Sequence, residues 1–359
     1  MRWILLSFSF FVFNFFYKDN VSHGTLLTET YQMPIRKRNF SVKGMNIYYG
    51  NLHSHTKYSD GKESPVDMLR WARDYVHYDF YCISDHAEML SETEWADIGN
   101  QVEKFNQTGK FIALRGFEWS GFEGHVNVFN TNNFTHSGKT KDLRSLYAWL
   151  CRQKKAIAQF NHTGWMGATH NELQFDSAAS GYMLLFETGN ENYGNNSGIY
   201  TGWYDSCLNK GWKVAPVNNM DNHFAGANSH VTAVVAPELS RHELFSALAS
   251  RRVYSTDDPD IKIAFTCMNE WMGSEIHATG SISLEVQIED DEEIFKAELI
   301  SNNGKILAET YPQTNQVKWN PVIKIDGKAF VYLKVTSLNT NDNDIQQQVA
   351  ITAPFFFNY

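Results

Sequence analysis

The segment Asn51-Leu52-His53-Ser54-His55-Thr56-Lys57-Tyr58-Ser59-Asp60-Gly61 sets two imidazoles two positions apart where an apolar run ends. Alternation along an extended backbone turns His53 and His55 to the same side, so both can grip one cation. Alone the pair is weak, because two histidines near a strand end are as readily hydrogen-bonded surface groups. Recurrence gives it weight. Ile83-Ser84-Asp85-His86, Gly116-Phe117-Glu118, Phe160-Asn161-His162 and Met220-Asp221-Asn222-His223 each bring a histidine or carboxylate to the C-terminal end of a further apolar run. His125, in Gly124-His125-Val126-Asn127, begins a run rather than ending one. Six of the thirteen histidines (His53, His55, His86, His125, His162, His223) fall at these places, together with Asp60, Glu118 and Asp221. Imidazole and carboxylate donors without thiolate suit Zn²⁺, Mn²⁺ or Fe²⁺. At about four or five ligands per ion the set exceeds one ion and implies two or three divalent ions. Such a cluster with open positions generates hydroxide near neutral pH and clamps the oxygens of an in-line displacement.

Positioning these groups on one edge requires repeated strands. The runs Asn46–Asn51, Phe80–Ser84, Phe111–Glu118, His125–Asn130, Ala156–His162, Met183–Thr188, Val214–Asn218 and His230–Ala236 read as strands. Helix starts lie between them: Ser64-Pro65 ahead of Val66, Leu69, Ala72 and Val76, and the pairs Ser91/Glu94 and Ser240/Glu243. Seven or eight strands with helices between them predict a barrel-like α/β domain over residues 44–258, with its chemistry at the strands' C-terminal ends. After Pro259 helical periodicity gives way to alternation, with strands expected at Ser281–Glu289, Phe295–Ser301, Lys305–Glu309 and Ala329–Ser337 and hairpin turns at Asn303-Gly304 and Asp326-Gly327. Residues 259–359 therefore read as a small β-sandwich-like domain. A length of 359 residues accommodates both.

Composition narrows the partners. A net charge of 31 − 40 = −9 argues against a surface that neutralises phosphate backbones, so nucleic acid is excluded as a bulk partner. The cysteines Cys82, Cys151, Cys207 and Cys267 are too scattered for a CxxC knuckle, and a chain this long needs no disulfide framework. Met1-Arg2, an apolar run from Trp3 to Tyr17 and then Lys18-Asp19-Asn20 read as a secretory signal over residues 1–23, too short for a membrane span, with Ser22-His23-Gly24 the nearest cleavage candidate. An uncleaved anchor is the other reading. Removal of the run gives a secreted or periplasmic protein without a stable membrane span.

The ordered series HxHTxxSDG, SDH, FE, GHxN, NH and DNH resembles the PHP (polymerase and histidinol phosphatase) superfamily. Gly116-Phe117-Glu118-Trp119 and Gly124-His125-Val126-Asn127-Val128 are similar to its CehA/McbA-like branch. The resemblance covers about Ile47 to Asp258 and implies a distorted (β/α)7 barrel with a trinuclear centre. It implies that His53, His55, Glu118 and Asp221 hold a first metal, that Glu118 bridges to a second completed by His125 and His162, and that Asp60, His86 and His223 hold a third. Some members have histidine where this chain has Asp60. The expected function is an exported multinuclear hydrolase, a phosphoesterase acting on a small anionic substrate through a metal-bridging hydroxide, with Glu118, Asp221 and His223 as catalytic groups. A carbamate or amide hydrolase on the same metals, and a non-catalytic binding protein, are the alternatives. Asp85 either orients a ligand or caps the next helix. Lys57, Arg115 and Arg252 are candidates for an anionic substrate group, though each is more readily a solvated or structural cation. Trp119, Trp165, Tyr193 and Trp203 are candidate cleft walls, with core packing the default for each. Asn161, Asn190, Asn192 and Asn219 read as turn formers beside the ligands, and His230 as a supporting or acid group.

Overall fold

The computed structural model describes residues 40–190, 198–226, 229–327, 329–339 and 346–358. The apolar run Trp3–Tyr17, Asn192 and Tyr193 lie outside the described residues.

Short runs that are apolar on both faces need cover on both, and they form parallel strands at the centre of the first half. β1 (Asn46–Asn51), β2 (Phe80–Ile83) and β3 (Ile112–Gly121) are parallel neighbours. β3 turns through Phe122-Glu123 into β4 (Gly124–Phe129), with Gly121 opposite Gly124. β5 (Ile157–Asn161) runs antiparallel to β4 and parallel to β6 (Met183–Asn190). The end of β6 takes the two-residue β7 (Gly198–Ile199), and its body pairs in parallel with β8 (Ala215–Asn218). On the other flank β9 (Val231–Ala236) is antiparallel to β1, and β10 (Val253–Thr256) is antiparallel to β9. β8 returns beside β9 and β10 through side chains: Thr232 Oγ1 donates to Asn218 O at 2.9 Å and Asn218 Nδ2 to Thr256 O at 2.9 Å.

The sheet is therefore mixed, where uniform β/α units were expected. The cause is local: two residues between β3 and β4 cannot carry the helical crossover that parallel neighbours require. The helix starts fall where the caps predict. Ser64 caps Pro65–Trp71, Ser91 and Glu94 form a reciprocal capping box on Glu92–Phe105, and Ser240 caps Arg241–Ala249. Helix Glu92–Phe105 buries Trp95, Ile98 and Val102, one helical face, against the sheet. Among the described residues no helix is long and apolar enough to cross a membrane.

Beyond Pro259 the elements are strands. β11 (Lys262–Cys267) makes a hairpin with β12 (Glu270–Trp271), and β13 (Glu275–His277) follows. β14 is one strand of 21 residues, Ser281–Ser301, where two were expected. Its first half pairs with β11 and, further along the chain, with β16 (Thr314–Trp319) and β17 (Val322–Lys324); its second half pairs with β15 (Lys305–Thr310) and β18 (Phe330–Asn339). The β16 register shifts between Glu289 and Ile294, at the change of partner. β19 (Gln346–Thr352) pairs with β18 on one edge and with β10 on the other, and β20 (Phe355–Asn358) lies beside β13 and β18. The β10–β19 ladder makes backbone hydrogen bonds cross the expected boundary at residue 258.

Candidate metal centre

All nine ligand-type residues converge on one end of the first-half sheet. His53 and His55 follow β1, His86 follows β2, His162 follows β5, and Asp221 and His223 follow β8. Glu118 lies within β3 and forms a bridge to His86. His125, the residue that broke the strand-end rule, is explained by direction. β4 runs opposite to β3, so its first residues lie at the end where the parallel strands finish.

Ligand atoms within 4.8 Å of one another form four overlapping groups: His55 with Asp60, His86 and His223; His53 with His55 and Glu118; His53 with His162 and Asp221; His86 with Glu118 and His125. Glu118 is the hub. Its Oε1 is 3.2 Å from His53 Nε2, 3.3 Å from His125 Nδ1 and 3.4 Å from His162 Nε2. Its Oε2 is 2.8 Å from His86 Nδ1 and 3.8 Å from His55 Nε2. Asp221 Oδ1 is 3.0 Å from His55 Nε2 and 3.2 Å from His53 Nε2, while His223 Nε2 is 3.2 Å from Asp60 Oδ1. The grouping differs in detail from the sets the resemblance implies: His55 also falls with the Asp60 group, and His162 with Asp221.

The donors are poorly satisfied by one another. Glu118 Oε2 and His125 Nδ1 are buried without an aligned hydrogen bond, and the Nε2 atoms of His53 and His55 face each other at 3.3 Å. Buried polar atoms normally find partners, so convergent lone pairs left this way fit a cation between them.

Supporting residues fix the ring orientations. Glu187, fully buried on β6, takes His53 Nδ1 at 3.0 Å on Oε1; its Oε2 accepts the His162 backbone N–H at 2.9 Å. Because a carboxylate only accepts, His53 Nδ1 keeps its proton towards Glu187, which leaves Nε2, facing Glu118 and Asp221, as the atom that would take a cation. His223 is fixed likewise, Nδ1 donating to Asp221 O at 2.9 Å. Asn161 donates to Glu118 Oε1 at 2.7 Å and is held by Gln159, also at 2.7 Å. Asp85 binds the loop rather than capping a helix: it accepts Thr56 N at 2.6 Å, Thr56 Oγ1 at 2.8 Å and Ser59 Oγ at 2.6 Å. His170 Nε2 donates to His125 O at 2.9 Å, and its Nδ1 accepts Thr163 Oγ1 at 3.1 Å. Burial, which outweighs the His125 carbonyl bond, lowers His170 to about 3, consistent with a neutral ring.

The charges are strongly coupled. Burial would raise the Glu118 carboxyl, but His125, His53 and His86 hold it well below the usual carboxylate range. Burial pulls His53 down, and Asp221, Glu187 and Glu118 outweigh it, so the ring is held well above its ordinary value. His86, opposed by burial and favoured by Glu118 and Asp60, rises to about 11.

Other expected groups lie elsewhere. Arg115 stacks on Trp95 at 3.9 Å and donates to its carbonyl, and Arg252 donates to Val235 O, so both serve the framework. Lys57 is exposed within the His53–Asp60 loop. Trp165 stands 5.2 Å from the His162 ring and lines the site, whereas Trp119 is core. Trp203 packs beside Gly164. Asn190 and Asn219 both donate to Glu187 at 3.1 Å, and His230 bonds Asn218. A cleft of about 920 Å³ lined by Lys154, Lys155, Lys213 and Arg251 opens at the opposite strand ends and contains none of the nine.

No family model matches the sequence. An uncharacterized protein of Chlamydia pneumoniae is 23% identical over 358 residues, covering 83% of this chain and 56% of that protein. An uncharacterized protein of Chlamydia trachomatis is 23% identical over 352 residues, covering 84% and 56%. The chain thus spans about half the length of the curated relatives it matches. A solved two-domain protein from Bacteroides vulgatus, described as containing a predicted PHP-like metal-dependent phosphoesterase, aligns with a TM-score of 0.49 at 16% identity, over 87% of this chain and 98% of that one.

Proposed function

We propose that the chain is a metal-dependent hydrolase of the PHP superfamily, of the CehA/McbA-like kind suggested by the Gly116–Trp119 and Gly124–Val128 motifs, and that its substrates are small phosphoesters. One observation carries the reading: nine imidazole and carboxylate groups meet in four overlapping groups, two of which share Glu118. His53, His55, His86, His125, His162, His223, Asp60, Glu118 and Asp221 would hold two or three divalent ions, of the Zn²⁺, Mn²⁺ or Fe²⁺ class by donor type. Bound ions supply a water acidified towards neutrality and positive charge for the oxygens of the leaving group. The chain's residues do the rest. Glu118 offers one oxygen to each side of the centre, Glu187 and Asp221 O fix the tautomers of His53 and His223, and Asp85 holds the loop that carries His55 and Asp60. Trp165 walls the side beside His162, and Lys57 stands nearby to meet an anionic substrate. The apolar run Trp3–Tyr17 supports export to a secreted or periplasmic location, and a mature protein starting near Gly24 on N-terminal sequencing is the expected outcome.

The test is a hydrolysis screen of phosphomonoesters, phosphodiesters, carbamates and amides, with elemental analysis of the same protein. Phosphoester cleavage with two or three metal ions per chain is expected. Glu118→Gln keeps the side chain's size but removes the charge that holds neighbouring cations together, so turnover falls by orders of magnitude while the melting temperature stays near wild type. Full activity in Glu118→Gln, or a metal-free protein that takes up none on titration, overturns the reading.

A further inference from the structure

A second group of oxygen donors lies away from the histidines. Asp258 and Asp260 follow β10, and Asp290 and Glu292 lie in β14 where its β16 register breaks; one oxygen from each lies within 4.8 Å of the other three. Asp290 occupies a core-facing position, continuing the buried alternation Ile282, Leu284, Val286, Ile288. A carboxylate there, only 2% exposed, needs a partner. Its Oδ1 accepts only a long 3.4 Å bond from Glu292 N, and its Oδ2 has no hydrogen-bond partner; Glu292 Oε2 also has none. No lysine, arginine or histidine forms an ion pair with Asp258, Asp290 or Glu292 among the described residues. Burial, together with the facing Asp258 and Glu292, pushes Asp290 up to about 10.

Asp258 is differently placed. It is fully buried, and its Oδ2 accepts Ser337 Oγ at 2.6 Å while its Oδ1 accepts Ile261 N at 3.2 Å. One carboxylate is thus fixed to the framework, and an unsatisfied one is turned towards it from the other half of the chain.

We infer that Asp258, Asp260, Asp290 and Glu292 form a calcium site that ties the end of β10 to β14. The donors are all oxygen, so the ion is a hard one rather than the softer metals suited to the histidine cluster. Four carboxylates from two segments give the flexible, oxygen-rich surround that Ca²⁺ accepts and small octahedral Mg²⁺ does not favour. The site does not depend on the hydrolase reading.

Calcium titration of the full chain by calorimetry, paired with melting curves in CaCl₂ and in chelator, tests it. The comparison includes Asp290→Asn, Glu292→Gln and, as a variant of the histidine cluster, His55→Ala. Wild type and His55→Ala are expected to bind one Ca²⁺ and to melt at higher temperature with it. Asp290→Asn and Glu292→Gln should lose both responses, and Asp290→Asn should melt no lower than wild type in chelator, because the cation-free Asp290 is already uncharged there and the amide keeps its size. No uptake by wild type, which would mean the carboxyls share protons instead, overturns the site. So does uptake unchanged in both carboxylate variants, uptake lost in His55→Ala, or an equal response to Mg²⁺ at the same concentration. Should Asp290→Asn fail to fold, Glu292→Gln, at the more exposed rim, decides.

Discussion

Glu187 contributes no atom to the four ligand groups, yet it touches His53, His162 N, Asn190 and Asn219. Replacing it with glutamine preserves the shape but lets an amide donor face His53 Nδ1, so the ring loses the partner that fixes its tautomer. Metal affinity is expected to fall about 10–100-fold in Glu187→Gln, read by competition with a chelating dye, with little change in melting temperature. His170 supports a pH prediction. Its folded value near 3 lies below the ordinary histidine value of about 6.5, so the unfolded chain takes up the proton first as pH falls. Its contribution is complete above about pH 6.5 and lost progressively towards pH 3; between pH 7 and 5.5 it amounts to roughly 1 kcal/mol. His170→Gln, able to keep the bond to His125 O, should show a flatter loss of stability on acidification than wild type, measured by denaturant titration at several pH values. Seven of the nine converging residues stood out in the sequence because they recur at run ends, whereas His125 begins a run and Asp60 lies in the loop after one. Glu187 was not, since a lone glutamate in Met183–Asn190 has no repeat to mark it; the available signal was a charge inside an otherwise apolar strand. Asp290 gave the same signal at the fifth place of an alternating series.

Among the elements, the β3–β4 hairpin does most to shape the site, because it delivers both Glu118 and His125. It is tightly backed. Gly124 has φ +149°, and a Cβ there would come within 2.5 Å of the His170 ring. Behind it, His170, Asn171, Glu172 and Leu173 all adopt left-handed backbone, with φ from 51° to 57°, a conformation that strains L residues. Gly124→Ala should therefore cost about 1–3 kcal/mol and displace His125, lowering metal stoichiometry as well as the melting temperature. A surface glycine with open space around it, Gly109→Ala, has φ +77° and controls for backbone strain alone. Run lengths and caps located the strands and helix starts, while the hairpin's direction was illegible. The runs ending at Glu118 and beginning at His125 look alike whether the chain reverses or crosses over, and only the short Gly121–Gly124 connection favours reversal. The Asp326-Gly327 pair likewise marks a turn but not a hairpin, because β17 and β18 on either side both pair with β14.

At the scale of the whole molecule, the two halves share a sheet. Tyr254, Ser255 and Thr256 of β10 pair with Thr352, Ile351 and Ala350 of β19, and Tyr49 and Tyr254 both donate to Ile261 O, at 2.8 Å and 2.6 Å. The change of texture at Pro259 marks where helices give way to strands, whereas the pairing of β10 with β19 is long-range, which a local pattern cannot report. A chain ending at Asp258 would leave the β10 edge bare, and it should be insoluble or rapidly proteolysed, whereas the full chain should melt in one transition by calorimetry. The ladder also imposes an order in time. Gln346 emerges 90 residues after Thr256, so at about 5–20 residues per second the edge of β10 stays open for roughly 5–20 s of synthesis. Everything needed to assemble the histidine cluster has left the ribosome by then, but the sheet that carries it is not yet closed. Nascent chains arrested before residue 346 should accordingly be cut by protease within the first half and be bound by chaperones that recognise open strands, and release of the completed chain should end both.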